Sequence, residues 1–147
     1  MLLMGCEHGT AFKRPDEIRF DATTADLTSA LAKRCTQQRV RRIDPPFLSD
    51  VHEQLMQIDC EGFQFLGAGR HVEFIIRDGR LVMVWLIVTQ ADAESMVAAM
   101  TAAYNAPSRR NDEYVAFEPY RAAWRYHPAE ILFWAPEMDR ELDENFR

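Results

Sequence analysis

The sequence predicts an α+β fold: an antiparallel sheet of four to six strands with two or three helices packed on it. Three features point there. Residues 71–77 and 81–88 are rich in β-branched and apolar side chains and flank Asp78-Gly79, a dipeptide suited to a two-residue hairpin turn that needs positive φ. An amphipathic helix follows directly, its stripe made by Met96, Val97, Met100 and Tyr104. Finally, Gly67-Ala68-Gly69 leads into a strand, and neither GxGxxG nor GKS occurs, which sets aside nucleotide binding of the Rossmann or P-loop kind.

The elements are read in order. Thr23 is an N-cap with Asp26 three positions on, and Leu27, Ala30, Leu31 and Cys35 continue at helical spacing, so a first helix is expected over residues 24–34. Residues 39–43 alternate arginine with β-branched side chains and stop at Asp44-Pro45-Pro46, the pattern of a charged edge strand. A strand is expected over residues 55–60, although residues 49–56 also fit a helical turn. On the first hairpin arm Val72, Phe74 and Ile76 share one face and His71, Glu73, Ile75 and Arg77 the other. The second arm is apolar on both faces and is expected to be central and covered on both sides. The second helix starts at Asp92 and ends at Asn105-Ala106-Pro107. Short strands are expected within residues 113–118, 120–126 and 130–134, with His127-Pro128 in a turn. The acidic tail, residues 137–147, suits a docked helix with Met138, Leu142 and Phe146 on one side. No internal repeat is evident. Residues 1–22 are expected to form a tether and residues 23–147 a single domain.

The chain has 147 residues, 48% hydrophobic and 27% charged, values of a globular domain with a core. Its 23 Asp+Glu outweigh 17 Lys+Arg, a net charge of -6 that argues against nucleic acid and against wholesale attraction to an anionic membrane. The longest apolar run, residues 81–88, has strand length and falls well below the roughly 18 residues a spanning helix needs. Met1-Leu2-Leu3-Met4-Gly5-Cys6 has the form of a lipobox, with Cys6 as the lipidation residue, which would make the anchor the sole membrane attachment. It lacks the basic and long apolar regions of a complete signal, so this reading needs a start upstream and competes with an ordinary cytoplasmic N-terminus. Three cysteines are an odd number. Lipid on Cys6 would leave Cys35 and Cys60 to bond across 24 intervening residues, a bridge of ~3 kcal/mol. The alternative is three reduced thiols, with Cys35 packed in the stripe of the first helix.

Taken together, the lipobox, the short N-terminal helix, the hairpin EFIIRDGRLVMVWLIV, the helix ending in YNAP and the late strands containing Trp124 resemble small bacterial envelope lipoproteins. In architecture the likeness is to the SmpA/OmlA outer-membrane lipoproteins and to the β-lactamase inhibitor protein fold, over residues 62–134. Such a resemblance implies a helix-plus-sheet module that binds other proteins and catalyses nothing.

Several constellations bear on chemistry. His71 and Glu73, two apart on one strand face, are half of a general-base arrangement, or a surface pair with Arg77 beside it. Cys60 with His52 upstream suggests a nucleophilic pair, but Asp59 and Glu61 would raise the thiol pKa, which favours a disulfide or a buried thiol. His8, His52, His71 and His127 are scattered, no CxxC or HExxH occurs, and an HxE on a strand supplies two ligands where zinc needs three or four, so neither metal nor cofactor is expected. Arg34, Arg39, Arg41 and Arg42 suit an anion grip or, better, a solvated edge. Phe117, Tyr120, Trp124, Tyr126, Phe133 and Trp134 crowd together, and if alternate positions face outward, Trp124, Arg125 and Tyr126 form a binding patch; core packing is the competing reading. The reading that follows is a non-catalytic protein-binding module of the bacterial envelope, periplasmic or anchored in the outer membrane, with oligomers allowed. Its alternatives are a small cytoplasmic enzyme or ligand-binding domain with a cleft near His71 and Glu73, and an accessory subunit of a larger assembly.

Overall fold

The computed structural model describes residues 11–147, so the lipobox and Cys6 lie outside the described residues. The fold is α+β with one antiparallel sheet, and the sheet has eight strands in the order β1-β2-β3-β4-β8-β7-β6-β5. The helices are α1 (Thr24–Leu31), α2 (Ala93–Tyr104) and α3 (Asp139–Asp143). The strands are β1 (Gln37–Arg42), β2 (Leu55–Phe65), β3 (Ala68–Arg77), β4 (Arg80–Ile87), β5 (Arg109–Arg110), β6 (Tyr114–Phe117), β7 (Ala122–Arg125) and β8 (Glu130–Trp134).

The expected four to six strands understate the sheet. The strand most easily missed, β5, is two residues long and pairs only Arg109 with Ala116 and Arg110 with Val115, too short to show any period. The order also discloses a repeat that the residues hide. One helix followed by a four-stranded meander occurs twice, α1-β1-β2-β3-β4 and α2-β5-β6-β7-β8, and each meander runs from an edge to the middle, where β4 and β8 pair antiparallel.

Local chemistry explains the elements. Thr23 and Asp26 cap α1 reciprocally, Thr23 Oγ1 accepting from the Asp26 N–H and Asp26 Oδ2 from the Thr23 N–H. The helix ends at Leu31, short of the expected Arg34, and Cys35 lies in the turn that leads to β1. Asp78 and Gly79 take positive φ in the β3–β4 turn, as their sequence requires. Asp78 does more: its carboxylate accepts the backbone N–H groups of His52, Glu53 and Gln54, which hold it below the usual carboxylate range and lash the loop before β2 to the hairpin.

A bulge interrupts the β2–β3 register between Cys60 and Phe63, and Gly62 sits there at φ 70°. A Cβ at that position would stand 2.7 Å from Thr36 Cγ2. Gly62→Ala is therefore expected to cost about 2 kcal/mol, from left-handed backbone and from contact with Thr36, read as a lowered urea midpoint with an unchanged slope.

The sheet is covered on both faces. On one, Leu27 and Leu31 of α1, Met96 and Met100 of α2, and Phe12, Ile18 and Ala22 of the N-terminal segment pack on Phe74, Val84, Trp124 and Phe133. Phe12, Ile18 and Ala22, in the segment expected as a tether, thus contribute to the core. On the other face, Met138, Leu142 and Phe146 pack on Val82, Met83, Tyr114 and Trp134, with Leu48 and Val51 beside them. These are the three apolar positions expected of the C-terminal tail, although the helix α3 is only five residues long, flanked by 3-10 turns. The central strand β4 is doubly covered as its sequence demands. Leu55 of β2 and Ile75 of β3 join this second cluster, but further along those strands the same face is polar, carrying Asp59, Glu61, His71 and Glu73.

Candidate functional site

Strand alternation and register build the polar end. On β2, Gln57, Asp59 and Glu61 alternate with the core residues Ile58 and Cys60. Pairing sets Asp59 opposite both Arg39 and Glu73, and Gln57 opposite Arg41 and Ile75, while Glu73 faces Trp85 on β4. The result is a hollow of about 360 Å³ lined by Arg39, Arg41, Asp59, Glu61, His71 and Glu73.

His71 sits between carboxylates. Its Nδ1 bonds Glu61 Oε1, and its Nε2 lies 3.4 Å from Glu73 Oε1 and 3.9 Å from Asp59 Oδ1. Asp59 is held from the other side, Arg41 Nε donating to Oδ2 at 2.8 Å and Gln57 Nε2 to Oδ1 at 2.6 Å. Burial pushes the Asp59 carboxyl up, but these two donors outweigh it and hold the group below its usual range, so it is a carboxylate at neutral pH.

Glu130, on β8, is the most perturbed carboxyl. Its side chain is only 10% exposed, Oε2 has no hydrogen-bond partner, and Arg125 Nη1 stands 3.5 Å away. Burial raises its pKa, repulsion from Glu73 adds to this and Arg125 opposes it, leaving the group at about 7.

Beside the hollow, a groove of about 700 Å³ runs between the loop at residues 47–50 and the C-terminal segment. Met83 and Trp85 line it, Phe47 is 56% exposed there, and the Arg125 guanidinium lies over the Trp85 ring at 5.2 Å. Arg140 also lines the groove and makes no ion pair among the described residues.

The structure separates the residues singled out from sequence. Cys35 and Cys60 are bonded, with Cα atoms 5.4 Å apart, which also ends any role for Cys60 as a nucleophile with His52. His71 and Glu73 do share a face and a hollow. The outward patch of Trp124, Arg125 and Tyr126 does not exist as expected: Trp124 is fully buried, Tyr126 packs edge-on against it on the core side, and only Arg125 turns to the groove. Alternation decided this, because the face that carries Arg125 is the face opposite Trp124. Arg34 is engaged with Glu17 and the Phe63 ring, and Arg39 and Arg42 are exposed on the edge strand β1, the solvated-edge reading.

Sequence reasoning missed Asp59 and Glu61 as neighbours of His71. The signal was the polar period-2 pattern Gln57, Asp59, Glu61 on the strand that pairs with the HxE strand. Glu130, Trp85 and Phe47 carried no such signal, since their proximity depends on the β4–β8 seam and on the loop before β2. Comparison with protein-family models, with curated proteins and with solved structures finds no match to this chain.

Proposed function

We propose that this chain is a non-catalytic protein-binding module of the bacterial envelope that holds an extended segment of a partner protein in the groove between residues 47–50 and the C-terminal segment. The observation that carries this reading is the groove's make-up: Trp85 under the Arg125 guanidinium, exposed Phe47 at the rim and unpaired Arg140. Aromatic rings and arginine over an apolar floor are the side chains that dominate binding energy at protein interfaces. The fitting partner segment places an apolar or aromatic side chain on Met83 and Trp85 and a carboxylate against Arg140. The Cys35–Cys60 bond supports an oxidising compartment. The likeness to SmpA/OmlA lipoproteins and to the β-lactamase inhibitor protein fold belongs to the same proposal, as does lipid on Cys6.

Peptide selection from a displayed random library on the purified, oxidised chain tests it. Enriched peptides are expected to pair an acidic residue with an aromatic or aliphatic one. Their affinity should fall about tenfold or more in Phe47→Ala and Arg140→Ala and stay unchanged in Glu94→Ala on α2. A selection that enriches nothing, or peptides indifferent to Phe47 and Arg140, would sink the groove as a docking site.

A further inference from the structure

The hollow next to the groove has a separate chemistry. Asp59, His71 and Glu73 each offer one ligand atom, and these atoms all lie within 4.8 Å of one another. Two donors held about 2.0–2.1 Å from a zinc-sized ion at a tetrahedral angle stand roughly 3.3 Å apart. His71 Nε2 and Glu73 Oε1, at 3.4 Å, already have that spacing, and Asp59 Oδ1, at 3.9 Å from the same nitrogen, needs a shift of a few tenths of an ångström.

The orientation of the imidazole is the second observation. Glu61 engages Nδ1, which leaves Nε2 facing two carboxylate oxygens. A cation placed between these three atoms would be coordinated by all of them, with Nε2 supplying its lone pair. The Glu61 contact is then the carboxylate that orients a metal-bound histidine and raises its basicity. The arrangement around Asp59 is consistent with this: Arg41 takes Oδ2, which leaves Oδ1, shared with the Gln57 amide, facing His71.

We propose that Asp59, His71 and Glu73 form a binding site for a divalent transition-metal ion of the zinc class, with Glu61 as the positioning residue for His71. One imidazole and two carboxylates favour Zn²⁺ or Co²⁺ over Mg²⁺ and Ca²⁺, which prefer all-oxygen shells. Three protein ligands on a partly exposed sheet face leave at least one coordination position open to water or to a donor from a bound partner. The site stands independently of the groove.

The test is calorimetric titration of the chelator-treated, oxidised chain with Zn²⁺ alone, paired with visible absorption on titration with Co²⁺ alone. One ion per chain is expected, with Co²⁺ giving d–d bands of a four- or five-coordinate centre. His71→Ala and the near-isosteric Glu73→Gln should each weaken Zn²⁺ binding at least about tenfold, and Glu61→Gln by about tenfold through His71. His52→Ala and His127→Ala should leave it unchanged. Far-ultraviolet circular dichroism on each variant separates lost binding from lost fold, and Glu73→Gln preserves shape if His71→Ala does not. Absence of saturable Zn²⁺ and Co²⁺ binding up to millimolar ion, or binding that survives both His71→Ala and Glu73→Gln, would overturn the assignment. An imidazole of His71 that titrates by NMR as an imidazolium and is indifferent to Zn²⁺ would overturn it equally.

Discussion

Replacing Cys35 and Cys60 together by alanine is expected to destabilise the protein by about 3 kcal/mol, with a fall in Tm on the order of 10 °C for a domain of this length. The bridge joins positions 25 apart, so its removal returns the entropy of a closed loop of that size to the unfolded chain. That loop contains β1, the excursion at residues 43–54 and the first half of β2. Within the folded state the bond lies where β1 begins beside β2, just before the Gln37–Glu61 pair, and Cys60 is wholly buried in the core. Loss of the buried sulfur therefore adds a packing deficit to the entropic one. Urea denaturation of oxidised, reduced and doubly substituted protein checks this. The reduced and substituted chains should unfold at similar, lower midpoints. Equal midpoints for all three would mean that the bridge constrains the unfolded ensemble very little.

Glu130→Gln is expected to stabilise the protein above pH 7, by up to about 3 kcal/mol, and to do almost nothing near pH 4. The Glu130 carboxyl has a pKa of about 7 in the fold against an ordinary 4.5. Between those two values the unfolded chain has released this proton and the folded chain still holds it. The unfolded state therefore binds fewer protons, and stability falls as pH rises through that window. A shift of this size corresponds to about 3 kcal/mol at 1.36 kcal/mol per unit. The groups that set it are the burial of the side chain, Glu73 on β3 and Arg125 on β7, the last working in the opposite direction. Glutamine keeps the shape and removes the ionisation, so the variant should lack the part of the parent's decline over pH 5–8 that Glu130 causes. Parallel slopes for the two proteins would show that Glu130 ionises without penalty.

What the sequence makes legible is what depends on neighbours along the chain. The Asp78-Gly79 turn, the Thr23–Asp26 cap, the stripe of Met96 and Met100 and the triplet Met138, Leu142 and Phe146 all lie where local periodicity places them. The disulfide was legible as one of two alternatives. Facing was harder: both Trp124 and Arg125 sit in one four-residue strand, and a shift of one position exchanges the buried for the exposed member. The candidate site lay further out of reach. His71 and Glu73 share a strand, but Asp59 joins them through the β2–β3 register, and a bulge at Gly62 lies within that pairing. Glu130 is set near Glu73 only because two meanders distant in sequence meet at β4 and β8.

That meeting has a kinetic consequence. Within each helix-plus-meander half, every strand pairs with its immediate neighbour in the chain, through turns of a few residues apart from the excursion at residues 43–54. Within the sheet the halves meet along the run from Met83–Trp134 to Ile87–Glu130, and on one face both helices and Phe12 share one core. Pairing inside each half is local in the chain and pairing of β4 with β8 is not, which makes the β4–β8 contact the slow, high-separation step, since loop-closure entropy must be met before that pairing rewards it. Exposed transiently before docking, the bare edges of β4 and β8 are also the place where a second chain would pair in error at high concentration.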